Sequence, residues 1–305
     1  MAVAPLTLTC LALATLFVAA LPIVLYRRLR RPFGLNGRDT IAGIAVFALF
    51  AMVIERALNG FVLHQNEATA AWLSNPLAFV IYGALAAGVC EEVGRFIAMR
   101  LMWRRATASH ASVAHLATGS SIAAGDAAAS ATSTATKLAM AATPRKAAVT
   151  STGDSTALGY GIGHGGAEAW IVGVLVQIQW IVFAVVENRG QLDTYLGNVP
   201  VDSLMRIHLI LASLSPQTAG IFALERVASL VFQIGLSVLM WRGVRAGWRG
   251  ILPLAIVAHA LIDVPAALFQ ARIVPLPAVD GLYALLALIV AGVLVKIFRR
   301  EMRTA

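Results

Sequence analysis

Seven runs of predominantly apolar residues, 5–26, 40–63, 77–103, 157–186, 218–241, 250–270 and 278–298, constrain this chain more than any other feature. Each reaches the roughly 20 residues that an α-helix, rising about 1.5 Å per residue, needs to cross about 30 Å of hydrocarbon. No water is available there to bond the backbone, so every N–H and C=O must be satisfied within the segment, which makes such runs helical. Charged residues are 13% of the chain, about half the share of an ordinary soluble domain. A soluble enzyme, a disordered chain and a collagen-like chain are thereby excluded. The expected fold is all-α: a polytopic integral membrane protein with seven transmembrane helices.

The basic residues predict its orientation. Eighteen of the 24 Lys and Arg fall in segments 27–39, 100–156, 242–249 and 296–305, whereas the alternate loops hold only Arg189, Arg206 and Arg272. Basic segments stay on the cytoplasmic side, so the N-terminus is expected outside and the C-terminus in the cytoplasm of a multi-pass cell-membrane protein. The net charge of +9 is then accounted for by loop anchoring, and no nucleic-acid partner is expected. Met1 to Thr7 carries no positive charge and a cluster of arginines follows the first run, an order that reads as a spanning helix rather than a leader peptide. Cys10 and Cys90 both lie in apolar runs, far apart, and offer neither a disulfide framework nor a metal site.

Residues 106–156 are rich in Ala, Ser and Thr and contain no Phe, Trp or Tyr. Such a composition cannot bury enough apolar surface to build a core. The expected organisation is helices 1–3 in residues 1–105, a flexible cytoplasmic linker over 106–156, and helices 4–7 in 157–305, which join the first three in one membrane domain. Val201 to Leu214 is moderately amphipathic and is expected to lie along the membrane interface.

Against this apolar background, ionisable residues stand out. Glu55, Arg56, Glu91, Glu92, Arg95, His164, Glu168, Glu225, Arg226, His259 and Asp263 all fall inside spans, where a charged side chain costs about 2.5–3.5 kcal/mol on insertion scales. Glu91 and Arg95, His164 and Glu168, and His259 and Asp263 are each four residues apart, a spacing that puts both members on one helix face. Three helices thus each carry a polar stripe, at a depth of about 10–18 Å from the basic end. Polar pairs also glue membrane helices together, at roughly 1 kcal/mol each. Three at similar depth favour convergence on a site, which Gln233 in span 5 is placed to join. The glycine-rich run Gly159 to Gly166 lacks the strand and the Lys-Ser/Thr of a nucleotide loop. It reads instead as a surface for close helix packing.

Two carboxylates and two histidines in a water-accessible cavity suit hydrolysis. A glutamate can take a proton from water, and a histidine N–H can stabilise the oxyanion that forms. Two histidines with a glutamate are also a common zinc set, so zinc on His164, His259 and Glu92 is the alternative, although no HExxH helix is present. No GxSxG serine motif occurs either. Two other functions compete with a peptidase. A proton-coupled transporter uses the same residue types as relays, but the inverted repeat common to such proteins is not evident in this sequence. A proteolytically inactive membrane scaffold is the second.

Glu91-Glu92-Val93-Gly94-Arg95, then Gly161-Ile162-Gly163-His164-Gly165-Gly166-Ala167-Glu168-Ala169, then His259-Ala260-Leu261-Ile262-Asp263 follow the order of motifs in the YhfC family. The resemblance runs from span 2 to span 7 and includes Glu225-Arg226 followed by a serine in span 5. That family is similar to type II CAAX prenyl endopeptidases. The resemblance implies an intramembrane endopeptidase acting on a membrane-associated peptide or protein in the cytoplasmic half of the bilayer. It implies Glu91 as activator of water with Glu92 assisting, His164 sharing that water, and His259 as an oxyanion donor. Arg95, Glu168 and Asp263 support them. Asp263 stands where the CAAX branch commonly has asparagine, and Gln233 where the family often has histidine, a departure that weakens a metal site.

Overall fold

The computed structural model describes residues 2–126 and 153–304, and all the regular structure in them is helical. Ten helices follow in order: α1 (Pro5–Arg30), α2 (Gly37–Gln65), α3 (Glu67–Trp72), α4 (Pro76–Asp126), α5 (Asp154–Asn188), α6 (Leu192–Tyr195), α7 (Val201–Ser213), α8 (Pro216–Arg245), α9 (Ile251–Gln270) and α10 (Leu276–Thr304). Seven of them, α1, α2, α4, α5, α8, α9 and α10, are long and apolar enough to span a membrane. The protein is therefore the all-α polytopic membrane protein that its hydropathy predicts.

Several helices start where a side chain caps them. Asn36 accepts from the Arg38 amide before α2, and Asn75 from the Leu77 and Ala78 amides at the start of α4. Ser215 and Thr218 form a reciprocal capping box ahead of α8, with Pro216 at its first turn, the position where a missing N–H costs nothing. Both α2 and α5 contain π-helical turns, at Phe50–Glu55, Phe61–Gln65 and Ala169–Leu175. Such turns cluster at functional sites, and the first and third of these border the cavity described below. The amphipathic segment near 201 forms α7, whose Leu211 packs with Val3, Phe183 and Leu192.

Helix α4 continues through Asp126 and α5 begins at Asp154. Both ends of the 106–156 linker are therefore helical, and the expectation of flexibility for its middle falls on 127–152, outside the described residues.

The interior is built chiefly by α2, α4, α5, α8 and α9. Large apolar side chains such as Leu285, Leu288 and Val293 of α10 remain exposed, as expected where hydrocarbon rather than water is the solvent. The glycine run of α5 brings backbones together: a Cβ on Gly163 would sit 2.0 Å from the Thr40 carbonyl oxygen of α2, and one on Gly161 2.8 Å from the Ile234 Cα of α8. At the basic end, Leu35, Met99, Tyr160, Ile162, Met240, Trp241 and Ile251 form the main apolar core. Asp154 is buried there and accepts from Arg242 Nε at 2.7 Å, while Trp241 Nε1 donates to the Gly153 carbonyl at 3.0 Å. These contacts tie the start of α5 to the end of α8.

Candidate active site

The three polar stripes come together. The Nε2 of His164 on α5 donates to Glu91 Oε2 on α4 at 2.9 Å, and Gln233 Nε2 on α8 donates to the same oxygen at 3.0 Å. The Nδ1 of His259 on α9 donates to Glu92 Oε1 at 2.8 Å. Arg95 bridges the two carboxylate systems, donating from Nη1 to Glu92 and from Nη2 to the side-chain oxygen of Gln233. Four helices are joined through one buried network. In surroundings of low dielectric such a network is strong when its members are satisfied and costly when one is removed.

Gln233 is the hub. Its amide nitrogen also donates to Glu168 Oε2 at 2.9 Å, so both of its N–H groups meet carboxylates while its oxygen meets a guanidinium. That pattern sets the orientation of the amide. Glu168 accepts in addition from Ser229 Oγ, and Arg226 lies 3.7 Å from it. His164 is wedged between Tyr160, whose ring stacks on it at 5.9 Å, and the edge of Phe47 at 5.3 Å.

The helical stripes pair differently from what their spacing predicts. Arg95 meets Glu92, three residues away, and Glu91, four away, turns instead to α5 and α8. Glu168 likewise faces α8 rather than His164. Of the three four-residue spacings, only His259 and Asp263 meet as a pair, with Nε2 3.4 Å from Oδ2. Of the other ionisable residues in spans, Glu55 accepts from Asn59 at 3.3 Å and borders the cavity. Arg56 is exposed on the outward face of α2. Tyr160 carries no motif signal, and only its four-residue spacing from His164 hints at the stacking.

The network forms one wall of a cavity of about 510 Å³. Glu91, Glu168, Gln233, His259 and Asp263 line its polar part, and Phe269, Gln270, Leu276 and Tyr283 line the part toward the α9–α10 connection. Phe269 and Gln270 are exposed at its rim. The cavity thus extends from the network toward the end opposite the basic residues, while the main apolar core fills the basic side. Glu92, Arg95 and His164 are wholly buried and do not border it. The adjacent glutamates are therefore inequivalent: Glu91 reaches the cavity and Glu92 lies behind it. A second cavity of about 340 Å³ shares Glu55, Asp263 and Gln270 and leads past Asn59 and Tyr82, whose hydroxyl donates to Asn59 at 2.7 Å.

The profile of the YhfC intramembrane metalloprotease family matches residues 17–120 and 131–284. The chain belongs to this family. It is also 29% identical over 279 residues to the "Uncharacterized membrane protein YhfC" of Bacillus subtilis (strain 168), covering 91% of each chain. No solved structure matches it. Membership carries the class of membrane-embedded peptidase and the name of a metalloenzyme. The alternative metal set weighed from the sequence, His164, His259 and Glu92, is not gathered around one point. His164 bonds to Glu91 and His259 to Glu92, in separate pairs. The guanidinium of Arg95 sits against Glu92, and no three His, Cys, Asp or Glu side chains among the described residues gather closely enough to hold an ion. As disposed here the donors do not fit a metal.

Proposed function

We propose that this protein is a glutamate-type intramembrane endopeptidase that hydrolyses a peptide bond of a membrane-associated polypeptide, with Glu91 as the base. The observation that carries the reading is the position of Glu91, a buried carboxylate held by His164 and Gln233 at the wall of a cavity. Glu91 takes a proton from water, and the resulting hydroxide attacks the scissile carbonyl carbon. His259 also borders the cavity. With Nδ1–H committed to Glu92, the Nε2–H of His259, which faces Asp263 Oδ2 at 3.4 Å before substrate binds, turns its hydrogen bond to the developing oxyanion. As the tetrahedral intermediate collapses, the C–N bond breaks and the protonated Glu91 returns its proton to the leaving amine.

Glu92, Arg95 and His164 act through these two as positioning residues. His164 orients Glu91, Glu92 orients His259, and Arg95 locks Glu92 to Gln233. This refines the expectation from the motif resemblance, in which His164 shares the water and Glu92 assists. No step passes through a metal. The likeness to CAAX-type enzymes rests on motif order alone, and prenyl recognition forms no part of the proposal. A proton-coupled transporter of this size is commonly built from inverted repeats, and none is evident in this sequence, which favours the peptidase.

The test is cleavage of a quenched-fluorescent, membrane-inserting peptide by the purified protein in liposomes. Glu91→Gln should abolish turnover, because an amide cannot accept the proton, while a strong chelator should leave the wild type active. Turnover by Glu91→Gln at the wild-type rate sinks the reading. Loss of activity on chelation with recovery on added zinc replaces the glutamate mechanism with a metal one.

A further inference from the structure

A second concave site lies at the basic end, away from the network. It is a cavity of about 450 Å³ between α4 and the turn that joins α8 to α9. Phe96, Trp103 and Trp248 contribute its aromatic walls, and Arg100, Arg104 and Arg249 its charge. Arg100 and Arg104 are one turn apart on the same face of α4. Arg249 reaches the site from a turn that Gly247 makes possible at φ 65°, a conformation open chiefly to glycine.

This group differs from the other arginines at the same end. In the adjacent cavity, Arg242 and Arg245 are both paired with the buried Asp154. No carboxylate lines the Arg100–Arg104–Arg249 cavity, and none of the three has an acidic partner among the described residues. Three exposed cations gathered at one concavity without a counter-charge among the described residues favour a bound anion. Trp248 is half exposed beside them, as tryptophans are at the boundary between headgroups and acyl chains. Ile97, about one turn further into the membrane than Arg100, and Leu101, between the two arginines on the neighbouring strip of α4, are exposed and apolar. A phosphate at the arginines would therefore leave attached acyl chains lying along an apolar helix surface.

We infer that this cavity binds the phosphodiester headgroup of an anionic glycerophospholipid. Arg100, Arg104 and Arg249 hold the phosphate, and Ile97 and Leu101 carry the chains. Basic pockets between helices on the side of positive charge are suited to such headgroups. The site is five residues along α4 from Arg95, so a bound lipid clamps together α4 and the α8–α9 turn, which position the network.

The test is native mass spectrometry of the full chain released from detergent, titrated with phosphatidylglycerol or with phosphatidylcholine of the same acyl chains. Wild type should retain phosphatidylglycerol at least tenfold more tightly. Each arginine contributes about a fivefold preference, and Arg100→Gln/Arg104→Gln/Arg249→Gln together cost about a hundredfold. Lys296→Gln/Arg299→Gln, at a basic rim without aromatic walls, should bind as wild type does. If the triple variant does not purify as a single species, Arg104→Gln and Arg249→Gln alone read the same loss on a smaller scale. Equal retention of the two lipids overturns the inference, as does an equal loss in the Lys296/Arg299 control. Displacement of the lipid by millimolar inorganic phosphate also overturns it, since the pocket then recognises a free anion.

Discussion

The two ends of this bundle are built on opposite principles. At the basic end, α2, α5 and α8 meet through glycine, and Met99, Tyr160, Met240 and Trp241 fill the space between helices. At the other end the helices enclose a cavity, and π-helical turns interrupt α2 and α5 beside it. The buried network lies where these halves meet. The sealed half carries the cost of holding it: four helices are pinned, so carboxylates, a guanidinium and two imidazoles stay at fixed separations in low dielectric. The open half gives water and substrate a way to reach one of those carboxylates. A site that must be both rigid and reachable is placed at the junction of a tight half and a loose one.

The sharpest way to break this comparison is to enlarge a small side chain in each half. Gly163→Leu should cause the largest effect, loss of folded protein, because its Cβ would start 2.0 Å from the Thr40 carbonyl and neither backbone can move alone. Ala266→Leu, in the cavity wall, should leave thermal unfolding in detergent within about 1 kcal/mol of wild type and reduce only cleavage. Equal instability in both variants would remove the distinction between the halves.

His259→Ala comes next. It removes the cavity-facing donor and should cost roughly 10²–10³ in cleavage rate, measured on the liposome peptide assay beside a folding check by circular dichroism. A change below tenfold would take the oxyanion role away from His259.

Accessibility gives a more moderate contrast. In a background without Cys10 and Cys90, a membrane-impermeant maleimide should label Phe269→Cys at least tenfold faster than Met99→Cys. The basic asymmetry implies that the open end faces outside, so labelling should occur on intact cells. Labelling of Phe269→Cys only after permeabilisation reverses the orientation but keeps the opening; equal slow labelling of both closes it.

The smallest effect belongs to the Ala/Ser/Thr segment. Deleting 110–150 should change unfolding and peptide cleavage by less than twofold, because loop tips and linkers of this composition tolerate change. Loss of folded protein would show that the two blocks of helices need it to assemble.

Much of this protein was legible before any fold was described. Hydrocarbon requires long apolar helices, so all seven spans follow from hydropathy, and polar residues four apart on three helices announce a convergence. The glycine run announces close packing, because only helices lacking side chains on one face can approach so nearly. What spacing along one helix cannot convey is its rotation against its neighbours. Glu91 and Glu92 differ by about 100° around α4, and nothing in their order says which one reaches the cavity. Nor does it say that Arg95 takes Glu92 as its partner, or that Gln233 joins two carboxylates to a guanidinium. Those outcomes depend on side chains from four helices meeting at distances near 3 Å. Only the packed bundle sets those distances, because each contact is decided by residues far apart in the chain.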